Sequence, residues 1–239
     1  MSIKYTLKAI ILIIIAACLL TYGFMIGQYH IFPYEQIRTV KKMATGDGEN
    51  AKYQNYYYNR DSFFTQTPPN TKFDAIFLGD SLTDIGEWSE LFPTSKVANR
   101  GINGDTTQGV IDRLTSISQL QPTKVFIMLG INDIMSNVPV EETYKNYTSI
   151  IEKLKSQGFD VYVQSTLLAN HFNADNNKIN ELNNKIKDFC KAEDITFIDI
   201  NSQLSKDGKL NSDLTLDGIH LNGAGYQIWK KELDNYLTD

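Results

Sequence analysis

Ala75-Ile76-Phe77-Leu78-Gly79-Asp80-Ser81-Leu82-Thr83 is the stretch around which the rest of this chain is read. Four apolar residues in succession, Ala75 to Leu78, predict a short buried strand, and Gly79-Asp80 ends the run with turn-forming residues. Ser81 then projects from the C-terminal tip of that strand, the edge at which open α/β sheets bind their ligands. On this stretch alone two readings of the serine stand side by side. It is a nucleophile, or it caps an ordinary strand-to-helix turn.

Further apolar runs at 95–99, 124–129, 159–165 and 195–199 repeat the pattern of 74–79. Amphipathic segments at roughly 106–119, 140–157, 175–192 and 223–237 alternate with them. Short strands separated by helical stretches predict βαβ units, hence an α/β domain with a parallel sheet and helices on both faces. Thr106-Thr107 and Asn222 or Gly223 are placed to cap two of the helices. Residues 51–66 hold Tyr53, Tyr56, Tyr57, Tyr58, Phe63 and Phe64. The spacing of the first three predicts a helix whose aromatic face packs on the sheet as core, ended by Pro68-Pro69-Asn70.

A length of 239 residues allows one sizeable domain plus an appendage. The net charge of -5 is more negative still once Lys4 and Lys8, outside the domain, are set aside; this excludes a nucleic-acid partner, which wants a basic face. The appendage is at the start. Residues 9–27 carry no charge and include Ile10-Ile11-Leu12-Ile13-Ile14-Ile15. Nineteen residues of helix rise about 28 Å, close to the roughly 30 Å core of a bilayer.

The expected layout is therefore a short tail (1–8), an uncleaved transmembrane signal-anchor (9–27), a juxtamembrane linker (28–50) and a catalytic domain (51–239). A cleaved signal peptide is disfavoured, because Leu19, Leu20, Phe24, Met25 and Ile26 continue the apolar run. Ile15-Ala16-Ala17-Cys18 resembles a bacterial lipobox, which keeps a lipoprotein at Cys18 open, although Leu19-Leu20 is a poor mature N-terminus. All three readings put the protein at a membrane or beyond it. Lys4, Lys8 and the amino terminus on one side nearly balance Arg38, Lys41 and Lys42 on the other, so the positive-inside count is close to a tie. The reading favours a single-pass protein with its catalytic domain outside the cytoplasm. Cys18 and Cys190 form no disulfide framework, and two lone cysteines exclude a Cys-x-x-Cys zinc cluster.

A serine needs a base to become a nucleophile at neutral pH, and histidine is the usual one. Of the three histidines, His30 is juxtamembrane and His171 lies in an Asn-rich loop. His220 stands in Leu216-Asp217-Gly218-Ile219-His220-Leu221-Asn222, three residues after an aspartate on a Gly-containing turn. That spacing lets Asp217 orient one ring nitrogen while the other faces the serine. Acyl transfer also needs donors for the developing oxyanion. Asn99-Arg100-Gly101-Ile102-Asn103-Gly104-Asp105-Thr106 offers a glycine amide at the opening of a helix, and Leu129-Gly130-Ile131-Asn132-Asp133 offers a side-chain amide.

Gly79-Asp80-Ser81-Leu82, Gly104, Asn132 and Asp217-x-x-His220, in that order, resemble the SGNH (GDSL) hydrolase family over residues 50–237. The 99–106 stretch looks especially like the platelet-activating-factor acetylhydrolase and lysophospholipase-thioesterase branches. The resemblance implies a three-layer α/β/α sandwich with a five-stranded parallel sheet, flavodoxin-like in layout. It implies Ser81 as nucleophile, His220 as base and Asp217 as orienting acid. It also implies that Ser81 and Gly104 supply oxyanion donors through their amides, and Asn132 through its side chain. One departure is that Ser165-Thr166-Leu167-Leu168-Ala169-Asn170 lacks the proline many relatives have after the fourth strand. An α/β-hydrolase is excluded, since position 83 is Thr83 where Gly-x-Ser-x-Gly needs glycine.

The expected function is that of a membrane-anchored serine ester hydrolase with neither metal nor organic cofactor. Short acyl groups are favoured, O-acetyl on surface carbohydrate above all. Lysophospholipase or thioesterase action on lipid esters, and O-acyl transfer to a sugar hydroxyl, use the same residues and stay open. A silent binding module is disfavoured, because all five site residues are present. The sequence carries no sign of oligomeric state.

Overall fold

The computed structural model describes residues 3–29, 33, 40 and 53–237. The chain divides into two units, Met1–Gln54 and Asn55–Asp239. In the first, helix α1 spans Ile3–Tyr29. The expected transmembrane segment is thus helical, yet among the described residues no helix is long and apolar enough to cross a membrane. His30, Arg38, Lys41, Lys42 and the turn-prone 45–48 stretch of the expected linker lie outside the described residues.

The second unit runs α2 (Asn55–Thr65), β1 (Lys72–Gly79), β2 (Val97–Gly101), α3 (Thr107–Arg113), β3 (Gln121–Met128), α4 (Val140–Ser156), β4 (Asp160–Gln164), α5 (Asn176–Ala192), β5 (Thr196–Ile198) and α6 (Gly223–Leu237). All five expected strands are present, and all pair in parallel in the order β2-β1-β3-β4-β5. Order reverses between β1 and β3, so the crevice at the C-terminal ends of those two strands is the ligand position of this topology. Ser81 follows β1 after a single intervening residue, Asp80.

Alternation along each strand splits the core in two. Ile76, Leu78, Val125 and Ile127 point to one face, packed with Val110 of α3, Ile150 and Leu154 of α4, and Ile179 and Leu182 of α5. Ala75, Phe77, Phe126 and Met128 point to the other, against Trp88 and the Trp229 and Leu233 side chains of α6. The strand runs read as continuously apolar because both faces are covered.

Three local expectations need adjusting. The 106–119 helix breaks: α3 ends at Arg113, and a separate turn covers Thr115–Ser118. Leu114 and Ile117 donate to carbonyls only three residues back, which tightens the chain at the junction. In α2 only Tyr57 and Phe64, two turns apart, are buried, whereas Tyr56, Tyr58 and Phe63 are exposed. A small antiparallel hairpin, Ser205–Lys206 with Lys209–Leu210, had no apolar run to announce it. The caps fall as expected: Thr106 Oγ1 accepts from the Gly109 amide, and Asn222 Oδ1 from the Gly225 amide.

Candidate active site

The turn after β1 is held from several sides, which leaves the serine hydroxyl free for chemistry. Asp80, not Ser81, caps the helical turn Ser81–Asp84, accepting from the Leu82 amide at 3.0 Å. Tyr226 of α6 donates its hydroxyl to the Leu82 carbonyl (2.6 Å), and Trp88 donates its indole N–H to that of Thr83 (2.8 Å). Asn99 of β2 spreads one amide over the Thr83, Asp84 and Gly86 carbonyls at 2.9–3.1 Å. As the first residue of the turn, Ser81 has an amide with no intrahelical acceptor.

Ser81 Oγ lies 2.9 Å from His220 Nε2, and His220 Nδ1 lies 2.6 Å from Asp217 Oδ2. These residues are brought together across 139 positions of sequence. The second Asp217 oxygen accepts from the Ile219 and His220 amides at 2.9 and 2.8 Å. Burial alone would raise the Asp217 carboxyl; bonds from the His220 ring and from those two amides outweigh it and hold the group well below the usual carboxylate range. The acid is therefore an anion whenever the site works. Ser81 is 4% exposed, while the His220 and Asp217 side chains are 32% and 54% exposed, so the hydroxyl sits at the floor of an accessible edge. His171 is not part of this chain of bonds. Its Nδ1 accepts from the Asn173 amide, and its ring lies against Phe172.

Gly104 follows β2 in a turn with φ +74°, a left-handed conformation that favours glycine, and no heavy atom lies within 4 Å of where a Cβ would stand. Asn132 is in the short helix Ile131–Met135 after β3. It donates one amide hydrogen to the Asp105 carbonyl at 2.8 Å, which leaves a second for another acceptor. Asn132 and the residue next to Gly104 are thus bonded to each other. Among the described residues no group of acids, cysteines and histidines gathers to hold a metal ion.

The sequence reading did not foresee the layer beneath. Each oxyanion candidate adjoins a buried aspartate: Asp80 beside Ser81, Asp105 beside Gly104, Asp133 beside Asn132. Asp105 pairs with Arg113 at 2.8 Å with both side chains fully buried, and Arg113 also donates to the carbonyls of Gly79 and Arg100. One guanidinium so ties the ends of β1 and β2 to the Gly104 turn. Asp133 accepts from the Thr107 amide and hydroxyl, fastening the start of α3. Nothing in the spacing of these residues announces the contacts, which join positions 8, 13, 26 and 34 apart.

Asp80 has one oxygen bonded and the other buried without a partner. Burial, with Asp105 and Asp133 nearby, pushes its carboxyl up to about 7. An unfolded carboxyl ionises near 3.8, so the native state holds this proton over a window where the unfolded chain has lost it. The resulting stabilisation is whole below about pH 4 and is lost as pH rises through about 7. Asp80→Asn, which needs no proton to stay neutral, should therefore melt higher than the parent at pH 8 by the equivalent of a few kcal/mol. That advantage should vanish near pH 4. Thermal melts across pH measure it, and a difference that ignores pH would refute the assignment.

The model of the GDSL-like Lipase/Acylhydrolase family matches residues 77–228. An N-acylneuraminate cytidylyltransferase of Streptococcus agalactiae serotype III (strain NEM316) is 30% identical over 174 residues, 71% of this chain and 40% of that protein. The chain spans about two-fifths of the length of that relative. Platelet-activating factor acetylhydrolase IB subunit alpha2 of Rattus norvegicus is 26% identical over 166 residues, 64% of this chain and 71% of its own. Among solved structures, one described as a platelet activating factor from Streptococcus pneumonia matches with a TM-score of 0.69 at 26% identity, covering 85% of this chain and 99% of that one.

Proposed function

Since this chain belongs to the GDSL-like Lipase/Acylhydrolase family and is a hydrolase of the esterase class, we propose that it removes short acyl groups from carbohydrate through a Ser81-His220-Asp217 triad. The observation that carries the triad is the unbroken hydrogen-bonded line from Ser81 Oγ through both His220 nitrogens to Asp217. Ser81 Oγ attacks the ester carbonyl while its proton passes to His220 Nε2, and Asp217 stabilises the imidazolium that forms. The amides of Ser81 and Gly104 and the free amide hydrogen of Asn132 receive the oxyanion. His220 returns its proton to the leaving sugar alkoxide. Water, deprotonated by the same histidine, then attacks the acyl-enzyme, and His220 passes that proton to Ser81 Oγ as it leaves, giving a carboxylic acid and free Ser81.

Two relatives support the substrate class by their names. One acts on an N-acylneuraminate, a sugar, and another is an acetylhydrolase. A competing lipid-ester reading has its own support in Phe172, 89% exposed, and Leu216, 95% exposed, the latter adjacent to Asp217. The deciding experiment gives the full chain aryl esters from acetate to octanoate, and O-acetylated oligosaccharide with and without a second glycan. A preference for acetate with release of free acetic acid fits the proposal. Preference for long chains would favour lipid, and acetyl passed to the glycan would favour acyl transfer.

Asn132 should act only once charge develops on the carbonyl oxygen. Asn132→Ala is expected to lower kcat by roughly 10²–10³ with KM nearly unchanged. An equal rise in KM instead would make Asn132 a ground-state binding residue.

We extend the proposal to α1 as a membrane anchor with the catalytic unit outside the cytoplasm. Ile10 to Ile15, Leu19, Leu20, Phe24 and Met25 are all exposed, so the helix is apolar on every side and needs an apolar surrounding. The protein should sediment with membranes after alkaline extraction, and protease added to intact cells should degrade residues 55–239. Recovery in the soluble fraction would remove the anchor, and protection until lysis would reverse the orientation.

A further inference from the structure

After β4 the chain leaves the sheet but stays buried: Ser165, Thr166, Leu167, Leu168 and Ala169 are all at most 6% exposed. Buried backbone needs hydrogen-bond partners. The Ser165 amide makes the last sheet-like bond, to the Ile198 carbonyl. Beyond it, three asparagine side chains replace the missing strand. Asn183 accepts from the Thr166 amide at 2.7 Å and donates to the Thr166 carbonyl at 2.8 Å. Asn176 does the same for Ala169, accepting at 3.0 Å and donating at 2.7 Å. Asn201 accepts from the Leu168 amide at 2.8 Å and donates to the Thr166 carbonyl at 2.8 Å. Asn176 and Asn183 are two turns apart on α5, so one helix face presents both amides to one segment.

The next residue carries the segment to the triad. The Asn170 amide donates to the Gly218 carbonyl at 2.7 Å, between Asp217 and His220. Gly218 has φ +83°, and a Cβ built on it would stand 2.2 Å from the Asn170 carbonyl oxygen. The turn that holds both triad partners is therefore seated directly on the end of the asparagine-held segment.

We propose that Asn176, Asn183 and Asn201 are positioning residues for catalysis: they fix segment 165–170 as a shelf on which the Gly218 turn is registered, and so set where His220 and Asp217 stand relative to Ser81. The inference rests on the triad reading. Catalytic groups work only when held to within about half an ångström, and a displacement of about 1 Å can cost a hundredfold in rate. Loosening the shelf should reduce kcat and leave substrate binding alone.

The test is a double-mutant cycle in the full chain, with Ser81→Ala as reference and assays run well below each melting temperature. Asn176→Ala is expected to lower kcat about tenfold with KM within about twofold, and Gly218→Ala to lower it about a hundredfold. The double variant should be no worse than Gly218→Ala alone, since both loosen the same seating of the Gly218 turn on segment 165–170. Where Asn176→Ala does not fold, Asn176→Ser, which keeps one hydroxyl for Ala169, takes its place; where Gly218→Ala does not fold, Asn183→Ala, which frees Thr166 of the same shelf, takes its place in the cycle, with losses that again do not multiply. Losses that multiply to about a thousandfold in the double variant, or an unchanged kcat in the folded Asn176 variant, would overturn the proposal. If Ser81→Ala retained activity, the triad reading itself would fall; if it lost activity while the cycle stayed additive, only the shelf would.

Discussion

Ser81→Ala is expected to abolish hydrolysis of short aryl esters, by about 10⁵-fold or more in kcat, while the melting temperature stays close to that of the parent. The size follows from what the hydroxyl does. On the proposed mechanism it forms the acyl-enzyme, so its loss removes the covalent route, leaving water to attack a carbonyl held by the proposed oxyanion donors. The small effect on stability follows from the packing. The turn is fastened by its backbone through Asp80, Tyr226, Trp88 and Asn99, and among the described residues the Ser81 hydroxyl is hydrogen-bonded to His220. Steady-state rates and thermal melts on the same preparation check both halves. Activity within tenfold of the parent would remove Ser81 from the role of nucleophile.

The second large effect is expected at the base. His220→Ala should lower kcat by about 10⁵-fold at neutral pH, since an unassisted serine hydroxyl is a poor nucleophile, and Asp217→Ala by about 10³–10⁴-fold. The order reflects the geometry. His220 Nε2 lies 2.9 Å from Ser81 Oγ, whereas Asp217 stands one bond further out, where the proposed mechanism has it hold the ring's tautomer and balance its charge. Removing Asp217 also frees the Ile219 and His220 amides, so the turn loses part of its own internal bonding. His171→Ala is the comparison, with an effect on KM at most, because its ring is engaged with Asn173 and Phe172. Loss of kcat in His171→Ala with His220→Ala still active would exchange the two histidines.

Much of this arrangement is legible in the order of the amino acids, for a local reason. An apolar run stopped by Gly-Asp, or an aspartate three residues ahead of a histidine, is a pattern within a few neighbouring residues. The five strands and the Asp217-x-x-His220 turn are patterns of this kind. The polar layer beneath the site is not. Arg113 bonds to Asp105 eight residues away but also to Gly79, and Asp133 reaches back to Thr107, so each partner is chosen by the fold. Asp80 reads in sequence as a turn former and is in fact a buried, half-satisfied carboxyl. The absence of a proline after β4 likewise gives no hint of what holds that segment. Asn-rich residues 170–184 read as loop chemistry running into a helix, and their amides turn out to serve as a substitute strand.

The reading of α2 shows the same limit from the apolar side. Tyr53, Tyr56 and Tyr57 have helical spacing, yet the buried pair is Tyr57 and Phe64. Tyr56 instead turns its hydroxyl to Asp84 at 2.6 Å, and Arg60 pairs with the same carboxylate. Asp84 also accepts from the Asn103 amide, next to Gly104. A helix expected to contribute only core therefore also braces the turn that follows β2.

The central claim is that Ser81 is the nucleophile and that His220 activates it. Its most direct measurement is covalent labelling of the full chain at pH 7 by a serine-reactive organophosphonate, followed by mass spectrometry of the intact protein and its peptides. A single adduct is expected, carried by the peptide that contains Ser81, formed in step with loss of esterase activity and lost in His220→Ala. An adduct on another residue, or complete inactivation with Ser81 unmodified, would contradict it.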